Sequence, residues 1–428
     1  MRSTKFAMRR TAGVLSTLLL PAAVPMVAQA QQANSSAAAF GMGDNYTALA
    51  RNADAIVWNM ASLGLPGSKK FSLKLMGVNT NLAFSPIALT DFGGGGTLSR
   101  ATRDAWLASV RADGTQRGEG TAGLNVLSMN IGRLGVQVSG LLTSRVDLNG
   151  DAMEALLYGN AGATGEPKTL AFAGSGLRAA GLVTAAAGFS IPLPSSAGVT
   201  QAIGVTGKFV VGAFGAMAQD GGTAVTPSNI DVRFPLAHTN EDNIGNAGSG
   251  VGADLSYVRQ SGTTTIAATV HNVVNTFAWD GASMVARNGM LKFDGTNNSS
   301  DFDQRPFSSA PAAIKTALER YVFKPSISVG LARKLNSVTM VTADVRQQMG
   351  DDNAILLGPK THVGAGLEYR GLGFLPIRGG AAYETNGYAL SAGTQLELGP
   401  LSFGVSARYR NVSGASAVGV MFSGIELR

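Results

Sequence analysis

Along the last third of the chain, apolar and polar residues alternate one by one. Over 361–370, Val363, Ala365, Leu367 and Tyr369 fall on one face, with His362, Glu368 and Arg370 on the other. Over 374–384, Leu375, Ile377, Ala381 and Tyr383 oppose Arg378 and Glu384. Over 401–410, Leu401, Phe403, Val405, Ala407 and Tyr409 oppose Ser402, Ser406, Arg408 and Arg410. A period of two is the signature of extended strands. Segments of about ten residues that repeat it, each able to turn one face to lipid and one to a lumen, mark a transmembrane β-barrel. Carried along the chain, the pattern predicts about fourteen antiparallel strands, near 71–90, 122–131, 133–143, 177–190, 201–217, 249–259, 263–279, 322–335, 338–348, 361–370, 374–384, 388–398, 400–410 and 416–427.

The connections alternate as well. Tight turns are expected around Gly132 and at 260–262, 336–337, 371–373 and 399–400, with a somewhat longer one at 193–200. The intervening connections are mostly long, notably 91–121, 144–176, 218–248 and 280–321. Short turns at one end and long loops at the other are the habit of outer-membrane barrels, whose long loops lie outside the cell. An even strand count puts both termini in the periplasm. A periplasmic sandwich or propeller would also alternate, but it explains the loop asymmetry less well, and no blade-length repeat is visible. Three loop segments carry helical spacing: 99–110, with Trp106 and Leu107; 151–158; and 309–321, which opens on Ser-Ala-Pro. They are expected to cap the outer mouth, either packing among the loops or meeting a substrate there.

One stretch differs from the strand field. Between Phe40 and Gly64, Tyr46, Leu49, Ala53, Ile56 and Val57 recur at helical spacing, with Asn45 or Thr47 as a cap and Gly64 as a stop. It is too short and too polar to cross a membrane. The expectation is a helical plug within residues 31–70, placed in or under a barrel built by 71–428.

Composition sharpens this. Only 14% of residues are charged, Gly numbers 56 and Cys is absent. That charge share is well below the ~25% of soluble domains. Arg2, Lys5, Arg9 and Arg10, an apolar run from Thr11 to Val27 and Ala28-Gln29-Ala30 read as a signal peptide over 1–30, cleaved after Ala30. Pro21 and Pro25 argue against an uncleaved anchor. Cleavage lowers the formal charge from +7 to +3, so a nucleic-acid partner is not expected. Export without cysteine leaves no disulfide framework.

The plug stretch is also the most specific part of the sequence. Gly41, Met42, Gly43, Tyr46, Thr47, Ala48, Leu49, Ala50, Ala53, Asp54, Ala55, Trp58, Asn59 and Ala61 match a Gly-Met-Gly-Gly-Ala-Tyr-Thr-Ala-Leu-Ala-Asp-Asp-Ala-Asp-Ala-x-x-Trp-Asn-Pro-Ala pattern. It resembles the N-terminal motif of the long-chain fatty acid transporter superfamily of outer-membrane proteins, with its FadL-like, PorV-like and TraF-like barrels. The strands at 362–370 and 376–380 look like this superfamily too, and 79–92 and 151–159 resemble a branch found in large-genome bacteria. Three places depart from the motif. Asp44-Asn45 stands where Gly-Ala is usual, Arg51-Asn52 replaces an acidic pair, and Met60 stands where a Pro would fix the exit from the plug.

Candidate chemistry is sparse. His238, His271 and His362 lie far apart, so no metal site and no cofactor is expected. His362 could face a serine across the lumen, but no nucleophile motif supports an enzyme. The glycine run at 93–96 reads as a linker. Asp344, Arg346, Glu368, Arg370, Arg378, Glu384, Glu397, Arg408 and Arg410 are expected on the lumen face, paired across strands. Asp54 is expected to join one of these arginines. Tyr369, Tyr383, Tyr388 and Tyr409 suit interfacial girdles.

The resemblance implies passive uptake of a hydrophobic, fatty-acid-like small molecule across the outer membrane of a Gram-negative-type cell, with outer-membrane lipid around the barrel. Gly41, Gly43, Tyr46, Ala48, Leu49, Asp54, Trp58 and Asn59 would then set the plug, and Trp106 and Leu107 would meet the ligand at the mouth. The alternative is a non-transporting scaffold that anchors or shuttles a secreted-protein partner.

Overall fold

A computed structural model describes residues 36–87, 98–166, 168–196, 198–350, 354–355, 358–385, 387–412 and 415–427. The signal segment and the glycine run at 93–96 lie outside the described residues. Fourteen antiparallel strands close into a barrel. They are β1 (Phe71–Ser85), β2 (Thr115–Ile131), β3 (Leu134–Asn149), β4 (Gly176–Ser196), β5 (Val199–Gln219), β6 (Gly248–Ser261), β7 (Thr264–Asn275), β8 (Ser326–Lys334), β9 (Thr339–Gln348), β10 (Thr361–Tyr369), β11 (Ile377–Glu384), β12 (Gly387–Leu398), β13 (Leu401–Val412) and β14 (Ala415–Leu427). Each pairs with its chain neighbour, and β1 pairs back onto β14 from Leu73↔Leu427 to Ala83↔Ala417. No barrel edge is left open, the condition for a sheet to sit in hydrocarbon.

The faces are those the alternation predicts. Val363, Leu367, Ile377, Tyr383, Phe403, Val405 and Tyr409 are exposed on the outside, while His362, Glu368, Arg378, Glu384, Ser402, Ser406 and Arg408 are buried inside. The apolar exterior continues around the wall through Phe209, Val251, Ile266, Val345, Leu390 and Phe422. In water such a belt would drive aggregation; in a bilayer it is the solvated surface. Tyr383, Tyr388 and Tyr409 gather at the loop end, where Tyr383 pairs with Tyr388 and the rings of Tyr388 and Tyr409 lie 6.4 Å apart.

The turns follow local chemistry. Gly132 and Gly399 sit at φ 59° and 62°, which only glycine adopts freely. Asn336 closes the β8–β9 turn by accepting from the N–H groups of Val338 and Thr339 at 2.9 and 2.8 Å. The wall is not even in height. β4 and β5 have 21 residues each, whereas β11 has 8. About ten tilted residues cross the hydrocarbon, so β4 and β5 rise beyond it.

The loop end holds an element absent from the sequence expectation, packed on the Gly150–Tyr158 helix and Leu148 of β3. The long connections are not simple loops. Ile230–Arg233, Ala224–Val225, Leu170–Ala171, Met290–Phe293 and Asn298–Asp301 form a separate five-stranded sheet at the loop end. Helices do form there, at Arg100–Asp113, Gly150–Tyr158 and Ala312–Arg320. The first is capped by Ser99 and stopped by Gly114 in the left-handed region. A second difference concerns β7. It ends at Asn275 instead of running to 279, and Ala278–Trp279 turns back to pair with Ser249 and Gly248.

The plug is not one helix. Ala37–Gly41 is helical and capped by Ser36, not by Asn45 or Thr47. Short turns at Asn52–Asp54, Ala55–Trp58 and Met60–Gly64 follow, the last ending at the expected Gly64. Gly43, Asp44 and Asn52 take φ of 69°, 61° and 55°, which a continuous helix cannot accommodate.

The topology can be tested directly, because the chain has no native cysteine. Thr296→Cys in the loop-end sheet should react with a membrane-impermeant maleimide on intact cells, and Pro400→Cys in the β12–β13 turn should react only after lysis. The reverse pattern would overturn the orientation.

Candidate functional site

The lumen has two tiers. The lower, at the turn end, is the plug and the wall around it. The plug backbone is answered by short polar side chains facing inward from many strands. Ser406 donates to Ala37 O at 2.6 Å, Thr342 to Asn45 O at 2.7 Å, Thr269 to Trp58 O at 2.9 Å and Ser190 to Ala61 O at 2.8 Å. In the other direction, the N–H groups of Thr47, Ala53 and Ala61 donate to Asp344, Ser72 and Ser256 at 3.1, 2.8 and 2.9 Å. Each such bond contributes about 1 kcal/mol, and more is lost if a buried partner is stranded. The backbones touch as well. A Cβ on Gly380 would lie 2.2 Å from the Met42 carbonyl carbon, and one on Gly204 would lie 2.3 Å from Ala61 N.

Charge completes the weld. Lys74 meets Asp54 at 2.6 Å and Glu426 at 3.5 Å, all buried. Asp54, expected to join an arginine, is thus held by a lysine of β1, and Ser36 Oγ adds a hydrogen bond at 3.0 Å. The arginine that does grip the plug is Arg408. It pairs with Asp44 at 2.8 Å, lies 4.1 Å over the Phe40 ring and donates to Phe40 O. Tyr46 and Trp58 meet edge to face at 6.0 Å. Gly41 and Gly43 run against Gly393 and Gly380 of the wall, and Ala48 is buried with Leu49 beside it. Asn59 donates to Tyr257 O at 3.0 Å, which fixes the extended exit that a Pro would otherwise set.

Most of the other lumen charges meet one another. Glu368 bridges Arg370 and Arg378, both at 2.7 Å, and Arg370 reaches Glu397 at 3.2 Å. Arg410 meets Glu384 at 2.6 Å, with His362 3.6 Å from the same carboxylate. His362 also contacts Asn45 at 3.1 Å, so it serves the plug instead of a serine. Asp344 binds Thr47, and Arg346 is half-buried on the same face. Sequence reasoning passed over Lys74 and the buried Lys208–Asp254 pair, 2.5 Å apart. The signal was present: Leu73 and Leu75 point outward, so Lys74 between them must point in. Asp254 sits at a bulge where Ala253 pairs with Val274 and Leu255 with Val270. It accepts from Asn272 N at 2.8 Å, and His271 lies 3.1 Å away.

The upper tier joins an apolar cluster to a charged group, Arg117, Arg145 and Arg178 around Asp147, on the inward face of β2 to β4. Leu141, Leu182, Val210 and Met217 of the wall pack with Phe277, Ile314, Leu318, Tyr321, Phe323 and Ile355 from the connections. Trp279 stacks on Tyr321 and donates its indole N–H to Tyr321 O at 2.7 Å. Above this chamber, whose interior these side chains fill, is a loop-end pocket of about 540 Å³ lined in part by Met284, Val285, Pro306 and Phe307, with Arg305 and Gln304 at its side. Met284 and Phe307 also pack with the chamber. Trp106 and Leu107 lie elsewhere. They are buried with Ile87, Val110 and Met153 where the Arg100–Asp113 helix meets the Gly150–Tyr158 helix. That junction is pinned by Glu154, which meets Arg111 and Lys168 and accepts from Ala163 N. Burial pushes the Glu154 carboxyl up, but Lys168, Ala163 and Arg111 together hold it below the usual carboxylate range. Among the described residues, no group of three or more acidic, histidine or cysteine side chains is arranged to hold a metal ion.

Fold and site together define a plugged transmembrane β-barrel. No family model matches the chain, and no curated protein matches it. Among solved structures it is similar to the Ralstonia pickettii toluene transporter TbuX at 12% identity, over 92% of this chain and 98% of that one, with a TM-score of 0.43. A Pseudomonas aeruginosa FadL homologue aligns at 13% identity over 94% and 99%, with a TM-score of 0.46. The CymD monoaromatic hydrocarbon channel aligns at 11% over 92% and 96%, with a TM-score of 0.49.

Breaking the weld should be costly. Lys74→Met strands two buried carboxylates and is expected to lower stability by about 3–5 kcal/mol. The urea midpoint of the detergent-solubilised barrel measures it, and a loss below about 1 kcal/mol, the worth of an exposed pair, would contradict the weld.

Proposed function

We propose that this barrel is a passive route by which hydrophobic small molecules cross the outer membrane. The observation that carries the reading is the apolar cluster of the upper tier, built from wall and loop side chains beneath a loop-end pocket and above a bonded plug. Burial of apolar surface contributes roughly 25 cal/mol per Å², so a greasy ligand gains by moving from water into such a chamber. Phe277, Ile314, Tyr321 and Phe323 come from connecting segments, not from barrel strands. A shift of those segments would make room without disturbing the ladder. The ligand would be taken up first at Met284 and Phe307, where the pocket adjoins the chamber. Trp106 and Leu107 would act one step back, by holding the loop helices together.

Passage straight down would have to break the plug's bonds to the wall together. The bulge at Asp254 offers the alternative. There the ladder between β6 and β7 is interrupted and Asn272 takes φ 55°. Gly41, Gly43, Tyr46, Ala48, Leu49, Asp54, Trp58 and Asn59 therefore act as the fixed floor. Many of the paired charges lie around that floor, and a second charged group, Arg117, Arg145, Arg178 and Asp147, sits on the inward face of β2 to β4 beside the apolar cluster, which leaves the ligand the apolar side of the upper tier. No observation favours the scaffold alternative.

Mass spectrometry of the detergent-extracted barrel tests the reading. It should recover a stoichiometric hydrophobic small molecule, and Val210→Asp in the chamber wall should lower its occupancy at least about 10-fold, as expected when a charge is placed in an apolar site. Recovery of no small molecule alongside a stably bound protein would overturn it.

A further inference from the structure

Three buried side chains at the boundary between the two tiers each present a polar atom with no hydrogen-bond partner among the described residues: Asn125 Nδ2, Thr184 Oγ1 and Trp58 Nε1. The strand register puts the first two in one transverse row. Asn125 pairs with Ser139 of β3, and Ser139 pairs with Thr184 of β4. Asn125 is held in place, because its Oδ1 accepts from Ser128 Oγ and Gln137 Nε2, both at 2.8 Å. Its NH2 group is what remains open. The next inward row towards the loop end is the Leu141–Leu182 pair of the apolar chamber. The next inward position of β4 in the opposite direction is Ala186, which packs in the cluster that contains Trp58. The row is thus a polar shelf, with the chamber above and the plug below.

Native structures keep few buried polar groups unpartnered, and those they keep call for a partner. We propose that the shelf takes the uncharged hydroxyl head of an amphipathic ligand whose apolar body fills the chamber, an inference that rests on the uptake reading above. A hydroxyl accepts two hydrogen bonds and donates one. The open groups at the shelf include two N–H donors, on Asn125 and Trp58, and one hydroxyl oxygen, on Thr184. A carboxylate has no proton to give Thr184 and meets no available cation. Lys208, paired in register with Ala186, is tied to Asp254 at 2.5 Å and to Asn272 at 2.7 Å. A plain hydrocarbon leaves all three polar atoms open.

The test uses three probes of one shape, 4-propylphenol, propylbenzene and 4-propylbenzoate, titrated calorimetrically into the full purified barrel. The phenol should bind at least about 10-fold more tightly than the hydrocarbon, since a site that hydrogen-bonds a hydroxyl discriminates against the analogue lacking it, and the benzoate should bind more weakly than the phenol. Thr184→Val and Trp58→Phe keep the shape of the wall and plug. Each should cut the phenol-to-hydrocarbon ratio several-fold, a readout that a purely structural role would not move. Equal binding of phenol and hydrocarbon to the wild type, a ratio indifferent to both variants, or tightest binding of the benzoate would overturn the shelf and leave hydrophobic uptake standing. Binding of none of the three would overturn both.

Discussion

Inside hydrocarbon, no backbone amide can be left without a partner, and the structure follows from meeting that condition twice. The first time is in the wall, where Phe71–Ser85 pairs with Ala415–Leu427 and closes the ladder. The second is in the lumen, where the plug is buried and has little regular structure of its own to satisfy its amides. Its donors and acceptors are met by the wall instead, through Ser72, Ser190, Ser256, Thr269, Thr342, Asp344 and Ser406. This explains why the inward face is rich in serine, threonine and glycine. Large side chains would keep the two backbones too far apart to bond.

The same condition accounts for the places where the plug departs from the motif it resembles. Asp44 bends the chain at positive φ and gives Arg408 its counter-charge. Arg51, in place of an acid, donates to Ala48 O and Ala50 O at 3.3 and 2.7 Å and ties down a turn of the plug. Met60, in place of proline, fills the space beside Gly135 and Gly188. Each change is answered by a neighbouring group, so the departures alter how the plug is held without loosening it. What remains unanswered lies higher up, at the edge of the apolar chamber.

Much of the wall was legible in the sequence. A two-residue period with one apolar face leaves little freedom, so Leu367 had to face out and Glu368 in, and the tight turns marked the register. The plug was legible as a segment but not as a shape, because its bends at Gly43, Asp44 and Asn52 depend on wall partners hundreds of residues away. The Asp54–Lys74 pair illustrates the difficulty: nothing near Asp54 announces a lysine of the first strand. The loop-end sheet was hidden for a related reason. Its strands are two to four residues long and come from three separate connections, too short for any period to show. The chamber was hidden because Phe277, Tyr321 and Phe323 sit in connections, where apolar residues carry no alternation to flag them.

Ionic conductance across a planar bilayer tests the central claim most directly, since a welded plug beneath an apolar chamber leaves no continuous aqueous path. The intact barrel should show no sustained conductance, and deletion of 36–65 should open large, long-lived steps. Sustained conductance through the intact barrel would contradict the account.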